Sequence, residues 1–267
     1  MSGPFELRRF RDLTLLVRES EVLVIACDSL GGIGPHPRDA VRVEPEVVGY
    51  GLARVVLLEL ASVGADPLLV VDALSCAAEP HGARIAAGVA RHLAEIGLDP
   101  ALALTGSTEE NMPIEITAAG IFALGRATLE RLLIGGARAG DEVWLLGRPQ
   151  VGSEVHFEDP ALPSYADLRG LGQTAGVHEL IPIGSGGIGA ELRGLEQRCG
   201  LRFRATATSS VDFDRSAGPA TAALWIKTPG GFETQANGGD ARLERVGEPE
   251  RLSRLSALLL GRMESRG

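Results

Sequence analysis

Four acidic residues stand where a hard cation could be held. Asp28 closes the apolar run Val22–Ser29, Glu59 sits in a long apolar stretch, Asp72 interrupts the run from Pro67 to Cys76, and Glu109 follows Gly106-Ser107-Thr108. Carboxylates bind hard cations, hydroxyls donate hydrogen bonds, and small residues let a phosphate approach the backbone. The segment from Leu104 to Gly125 concentrates all three, with Glu110, Asn111 and Pro113 completing it. That mixture is what a nucleotide–magnesium corner needs, and it is also what an ordinary surface turn contains. A second feature is Gly184-Ser185-Gly186-Gly187 ahead of a helical pattern. Free N–H groups at a helix start attract anions, and the same glycines serve a plain connection equally well.

The elements that must position these residues follow from periodicity. Leu13–Val17 and Val22–Ser29 read as strands, the second nearly continuous in apolar residues, as a doubly buried strand is. Asp28 would then lie at a strand end before the loop Gly31-Gly32-Ile33-Gly34-Pro35, a ligand-facing corner or a simple connection. Pro45–Val63 reads as a helix with Pro45 in its first turn and Gly64 at its C-terminal cap. An ionised Glu59 on its buried face must be paired or hold a metal, and on its other face it is solvated. Pro67–Cys76 is a strand in which Asp72 is either on a solvated face or functional. His81–Gly97 reads as an amphipathic helix with His81 and His92 at the surface. Ala101–Leu104 and Ile114–Leu124 are expected as strands, joined by a turn at Thr105–Thr108.

A boundary is expected near Gly135–Asp141, dividing the chain into 1–136 and 137–267. Beyond it, Glu142–Gly147, Leu201–Ala207 and Thr221–Thr228 read as strands. Tyr165–Thr174 and Gly187–Cys199 read as helices, as does Pro249–Met263 at the end. The fold class expected is mixed α+β.

Composition narrows the function. The 267 residues carry a net charge of −9, which disfavours nonspecific nucleic-acid binding, since that rests on neutralising phosphates. Three widely spaced cysteines, Cys27, Cys76 and Cys199, form no CxxC pair, so neither a zinc site nor a disulfide framework is expected. Cys in an apolar strand is usually a small buried hydrophobe. The start lacks a signal-peptide pattern, and no apolar run reaches membrane-spanning length, so a reduced, cytoplasmic setting without membrane contact is expected. Lys227 is the only lysine and lies in no P-loop context, so a phosphate site must use backbone amides, arginines or metal ions.

The ordered blocks resemble the aminoimidazole ribonucleotide synthetase superfamily, which includes thiamine-monophosphate kinase, selenophosphate synthetase and the hydrogenase-maturation carbamoyl dehydratase. The blocks are Val24–Ser29, Leu57–Pro67, Gly106–Pro113 and Gly184–Ile188, with Ala139-Gly140-Asp141 as the linker. Within it, Gly106–Asn111, His178–Ile188 and Ser216–Thr221 look most like the α-ribazole kinase branch. The resemblance implies a two-domain fold, with N-terminal sheets pairing across a homodimer and a C-terminal α/β domain closing over phosphate and acceptor. It implies an ATP-dependent kinase acting on the 5′-hydroxyl of α-ribazole, with a thiamine-monophosphate-type or other metabolite kinase, or a non-catalytic ATP-binding dimer, as alternatives.

By the same resemblance, Asp28, Glu59, Asp72 and Glu109 would hold Mg2+, with Asp28 and Glu109 central to catalysis. Gly106, Ser107 and Thr108 would bind the phosphates, together with Gly184, Ser185, Gly186 and Gly187. His178 and Asp212 are acceptor-side candidates, although a loop histidine is usually structural. Two departures stand out. Ser185 replaces an Asp carried by several members, and the Asp-Asp pair of thiamine-monophosphate kinase is missing from the first glycine loop.

Overall fold

The computed structural model describes residues 4–206, 211–230, 233–237, 240–244 and 255–266. The chain divides into two compact units, one of residues 1–60 and 65–132, the other of residues 61–64 and 133–267.

The first unit is built on a six-stranded sheet in the order β1-β2-β3-β8-β6-β7. Its strands are β1 (Glu6–Phe10), β2 (Leu13–Arg18), β3 (Glu21–Gly31), β6 (Asp66–Leu74), β7 (Leu104–Thr108) and β8 (Ala118–Thr128), while β4 (Ile33–Gly34) and β5 (Val41–Arg42) form a separate parallel pair. Strict alternation places Val22, Val24, Ala26, Val70, Leu74, Ile121 and Ala123 on one buried face. Helix α1 (Pro45–Ser62) covers that face, and a Cβ at Gly125 of β8 would touch Leu60 at 3.1 Å. Helix α2 (Ala83–Glu95) crosses α1 at two glycines. A Cβ at Gly49 would lie 1.8 Å from the Ile85 carbonyl oxygen, and one at Gly88 would lie 2.0 Å from that of Glu46. Only glycine permits this approach.

Several local expectations change. Thr105–Thr108 is not a turn: it belongs to β7, paired in parallel with β6. The strand expected at Ala101 is instead the short helix α3 (Pro100–Ala103), capped by the Asp99 side chain on the Ala101 N–H. His92 is buried, edge-on to Tyr50 at 4.4 Å. Desolvation, reinforced by Arg54 and Arg91, pushes the His92 imidazole down to about 3. Cys27 is exposed, because strand alternation turns it to the open face of the sheet.

The second unit contains a seven-stranded sheet. Its strands are β9 (Glu142–Gly147), β10 (Val177–Pro182), β11 (Leu201–Ala205), β12 (Ala222–Lys227), β13 (Glu233–Asn237), β14 (Asp240–Glu244) and β15 (Ser256–Ser265). Every residue of β9 and β12 is buried, as the apolar runs Val143–Leu146 and Ala222–Ile226 require. Helix α5 (Gly187–Cys199) packs Ile188, Leu192 and Leu195 against Val143, Leu145, Leu224 and Ile226. Helix α4 (Tyr165–Gly172) begins with a reciprocal Ser164–Asp167 capping box. The closing helix expected at Pro249–Met263 lies partly outside the described residues. Its remainder is strand β15, which pairs with both β9 and β11. A short leucine run has no decisive period, and two waiting strand edges settle it.

Lys227 is buried at the end of β12. Its Nζ donates to Glu142 Oε2 at 3.1 Å and to the carbonyls of Thr228 and Gly230, beneath the Trp144 and Trp225 rings.

Candidate functional site

The register of the first sheet aligns the candidate residues. Asp28 of β3 pairs with Ile121 of β8, Ile121 pairs with Asp72 of β6, and Asp72 pairs with Gly106 of β7. Directly paired residues share a face. The row therefore sets Asp28 and Asp72 on the helix-covered side, about 10 Å apart across one intervening strand. Asp72 is 4% exposed, and its Oδ2 is buried without a hydrogen-bond partner among the described residues. Its carboxyl is raised by desolvation. Asp28 is half-buried and also raised, chiefly by desolvation and further by the like charge of Asp12. Gly106 leaves the space that Asp72 occupies, for a Cβ there would fall 1.6 Å from Asp72 Oδ1. Two inward carboxylates, one with an unsatisfied oxygen, make a place for positive charge.

The other two candidates have different partners. Glu59 pairs with Arg11 at 3.0 Å, with side-chain exposures of 17% and 5%. Arg11 sits at φ +52° in the tight turn between β1 and β2. Glu109 accepts a hydrogen bond from the Asn111 N–H at 2.6 Å, and the Asn111 backbone and side chain lower its carboxyl. The four carboxylates thus do not gather. Among the described residues no three His, Cys, Asp or Glu side chains converge on a metal position. Magnesium ordinarily takes only one or two protein carboxylates and completes its shell with phosphates and water. Of the four, Asp28 and Asp72 share the helix-covered face, Glu59 is paired with Arg11 and Glu109 accepts from the Asn111 N–H.

Beside this row runs β7. It is an edge strand, so alternate amides of Leu104–Thr108 point away from the sheet. Thr108 Oγ1 donates to Glu110 Oε1 at 2.6 Å, and the Ala78 N–H donates to the same oxygen at 2.9 Å. Glu110 therefore staples the turn Ala78–Gly82 to the end of β7. Residues that the sequence did not single out lie at the same end of the sheet. His36, Asp39 and Thr117 form a buried cluster: Thr117 Oγ1 donates to Asp39 Oδ2 at 2.7 Å and contacts His36 Nδ1 at 2.9 Å. The only sequence signal was His36 between Pro35 and Pro37; Asp39 and Thr117 are 78 positions apart.

In the second unit the glycine turn and His178 separate. His178 opens β10, with Nδ1 2.6 Å from Asp141 Oδ2, and Gly184 lies past the other end of that strand. Six extended residues put them roughly 20 Å apart. Asp212 does flank the turn, since the Gly189 N–H donates to the Phe213 carbonyl at 2.8 Å. The Gly187 N–H is taken by the Gly184 carbonyl. Ser185 is exposed on this turn.

Comparison with known proteins follows the same division. Residues 11–127 match the family model described as "AIR synthase related protein, N-terminal domain". No curated protein matches the chain. Among solved structures, thiamine-monophosphate kinase from Stenotrophomonas maltophilia K279a is 17% identical, covers 99% of this chain and 90% of its own, and has a TM-score of 0.65. AaThiL complexed with AMPPCP and TMP is 17% identical, covering 96% and 85%, with a TM-score of 0.62. T. maritima PurL complexed with ADP is 12% identical, covering all of this chain and 42% of its own, with a TM-score of 0.63. At these identities the likeness shows a shared fold. No described helix is long and apolar enough to cross a membrane.

Proposed function

We propose that the chain is an ATP-dependent kinase for a small-molecule acceptor, working with magnesium in the first unit. The observation that carries this reading is the row Asp28–Ile121–Asp72–Gly106, with Asp72 Oδ1 filling the space that Gly106 leaves open and Asp72 Oδ2 buried and unsatisfied among the described residues. Asp28 and Asp72 would hold magnesium, which when bound supplies charge neutralisation to the triphosphate. The outward amides of β7 and the Ser107 hydroxyl would position the phosphate oxygens, the Thr108 hydroxyl being spent on Glu110. Such transfer needs positioning and charge compensation and no covalent intermediate. Similar structures are complexes with AMPPCP, ADP or ATP, which supports a nucleotide as ligand.

For the acceptor, the segments Gly106–Asn111, His178–Ile188 and Ser216–Thr221 support the 5′-hydroxyl of α-ribazole. A second reading, thiamine-monophosphate kinase, is favoured by the fold likeness. Incubation of the chain with ATP, Mg2+ and each acceptor, read by mass spectrometry, decides between them. No product from either, with tight ATP binding by calorimetry, would leave a non-catalytic nucleotide-binding protein.

A homodimer is part of the proposal. The face of the first sheet away from α1 carries Ile25, Leu69, Val71, Phe122 and Leu124 only partly covered, beside exposed Leu68. A second copy would shield these residues.

A further inference from the structure

The His36–Asp39–Thr117 cluster is separate from the residues proposed to hold nucleotide and metal, and its hydrogen bonds define the role of one atom. Asp39 accepts from the His36 N–H, the Thr117 N–H and Thr117 Oγ1 at 2.7–2.8 Å. Burial alone would raise its carboxyl, but these hydrogen bonds outweigh burial and hold it below its ordinary range. Asp39 is then a carboxylate that only accepts. Thr117 Oγ1 must spend its single proton on Asp39, so toward His36 it can only accept. His36 Nδ1 therefore carries a proton, which leaves Nε2 as the ring nitrogen that can accept one.

That nitrogen is unused. His36 is 7% exposed, and its Nε2 has no partner among the described residues. Beside it, at 4.9 Å between ring centroids, stands His81, whose buried Nδ1 also lacks a partner. Leaving the buried His81 Nδ1 unpaired costs free energy, and the three-residue relay holds the His36 ring in a fixed orientation beside it. The place is suggestive too. His81 belongs to the Ala78–Gly82 turn that Glu110 ties to Thr108. Thr117 leads directly into β8, whose Ala119 pairs with Leu74, which in turn pairs with Thr108. Gly34 makes the cluster possible, since a Cβ there would lie 2.3 Å from Thr117 Oγ1.

We propose that His36 Nε2 is the base that receives the proton of the acceptor hydroxyl, with Asp39 and Thr117 as positioning residues. This rests on the kinase reading above. The hydroxyl oxygen bonds to the γ-phosphorus while its proton passes to Nε2. The bond from that phosphorus to the β,γ-bridging oxygen breaks, and its electron pair leaves with ADP. The imidazolium then releases its proton to water.

The test uses the full chain with ATP, Mg2+ and α-ribazole, with thiamine monophosphate run separately as a control acceptor. His36→Asn keeps an N–H donor for Thr117 and removes the base. A fall in kcat of about 100-fold or more is expected, the scale of general-base catalysis, with ATP affinity by calorimetry unchanged. In His36→Ala, added imidazole should restore part of the turnover, which a purely structural role would not allow. Retained turnover in His36→Asn overturns the assignment and leaves the kinase standing. Lost ATP affinity in that variant also overturns it, making His36 a packing residue. Phosphorylation of thiamine monophosphate alone overturns it as well, because that acceptor has no hydroxyl proton to lose there. If the unmodified chain phosphorylates neither compound, this assignment and the kinase reading fall together.

Discussion

Asp72 and Gly106 are paired residues of two parallel strands, and the carboxylate of one fills the space where a side chain of the other would stand. A Cβ at residue 106 would be 1.6 Å from Asp72 Oδ1. Gly106→Ala is therefore expected to displace Asp72 at a cost of about 1–3 kcal/mol, as overpacking does, and to weaken Mg2+-dependent ATP binding by calorimetry. Unchanged ATP affinity would remove β7 from the phosphate site.

Asp72 also sets a pH dependence. Its carboxyl is raised by burial, so the folded state holds the proton more tightly than the unfolded chain. Its contribution to stability is full below the ordinary aspartate range and is lost as pH rises through the raised value. Asp72→Asn should raise the metal-free Tm at neutral pH by roughly 2–4 °C, about 1 kcal/mol in a chain of this size. The gain should vanish below about pH 4, and ATP-dependent turnover should be lost at every pH. A Tm that falls at neutral pH would contradict the unpartnered-carboxylate description.

The Arg11–Glu59 pair allows a test of whether Glu59 is a structural carboxylate or a metal ligand. Arg11→Met alone leaves Glu59 charged and half enclosed, and should destabilise by about 3–5 kcal/mol in urea unfolding. Combined with Glu59→Gln, much of that loss should return, giving a coupling of about 1–3 kcal/mol. If Glu59→Gln instead leaves stability alone and lowers Mg2+ affinity, Glu59 belongs with Asp28 and Asp72.

At the α1–α2 crossing, Gly88→Ala places a methyl against the Glu46 carbonyl and the Tyr50 amide. A helical Gly→Ala change elsewhere stabilises by up to about 1 kcal/mol. Here denaturant unfolding should show a loss of about 1–3 kcal/mol, and any gain would mean the helices are further apart.

Phe122 tests the proposed dimer. Phe122→Arg puts a charge into the partly covered face without touching the Asp28–Asp72 row, which lies on the opposite side of the sheet. Sedimentation should report a dimer for the unmodified chain and a monomer for the variant. A monomer in both would end the dimer proposal.

Much of this was written locally in the chain. Long periodic segments such as Pro45–Ser62 and the unbroken apolar runs of β9 and β12 declare themselves, because one element supplies the whole signal. The candidate site was legible only in part. Asp28 and Asp72 could be named from the strands they interrupt, but their shared face depends on β8, which lies between them and comes later in the chain. Nothing within the helix of Glu59 reveals its partner Arg11, 48 positions away. Thr105–Thr108 has the composition of a turn and becomes a strand because β6 offers it an edge. His36 gave almost no signal, since its meaning comes from Thr117, 81 positions later.

The buried setting of Lys227 reaches beyond the second unit's core. With the chain's only lysine enclosed, its exposed basic side chains are arginine, apart from histidine. Guanidinium stays protonated across the whole working pH range and is not acetylated like an amine. The surface's fixed positive charges are thus permanent, and neither acidity nor lysine modification can retune them. Amine-directed labels and cross-linkers likewise find no lysine on the outside, whereas carboxylate-directed reagents have many targets.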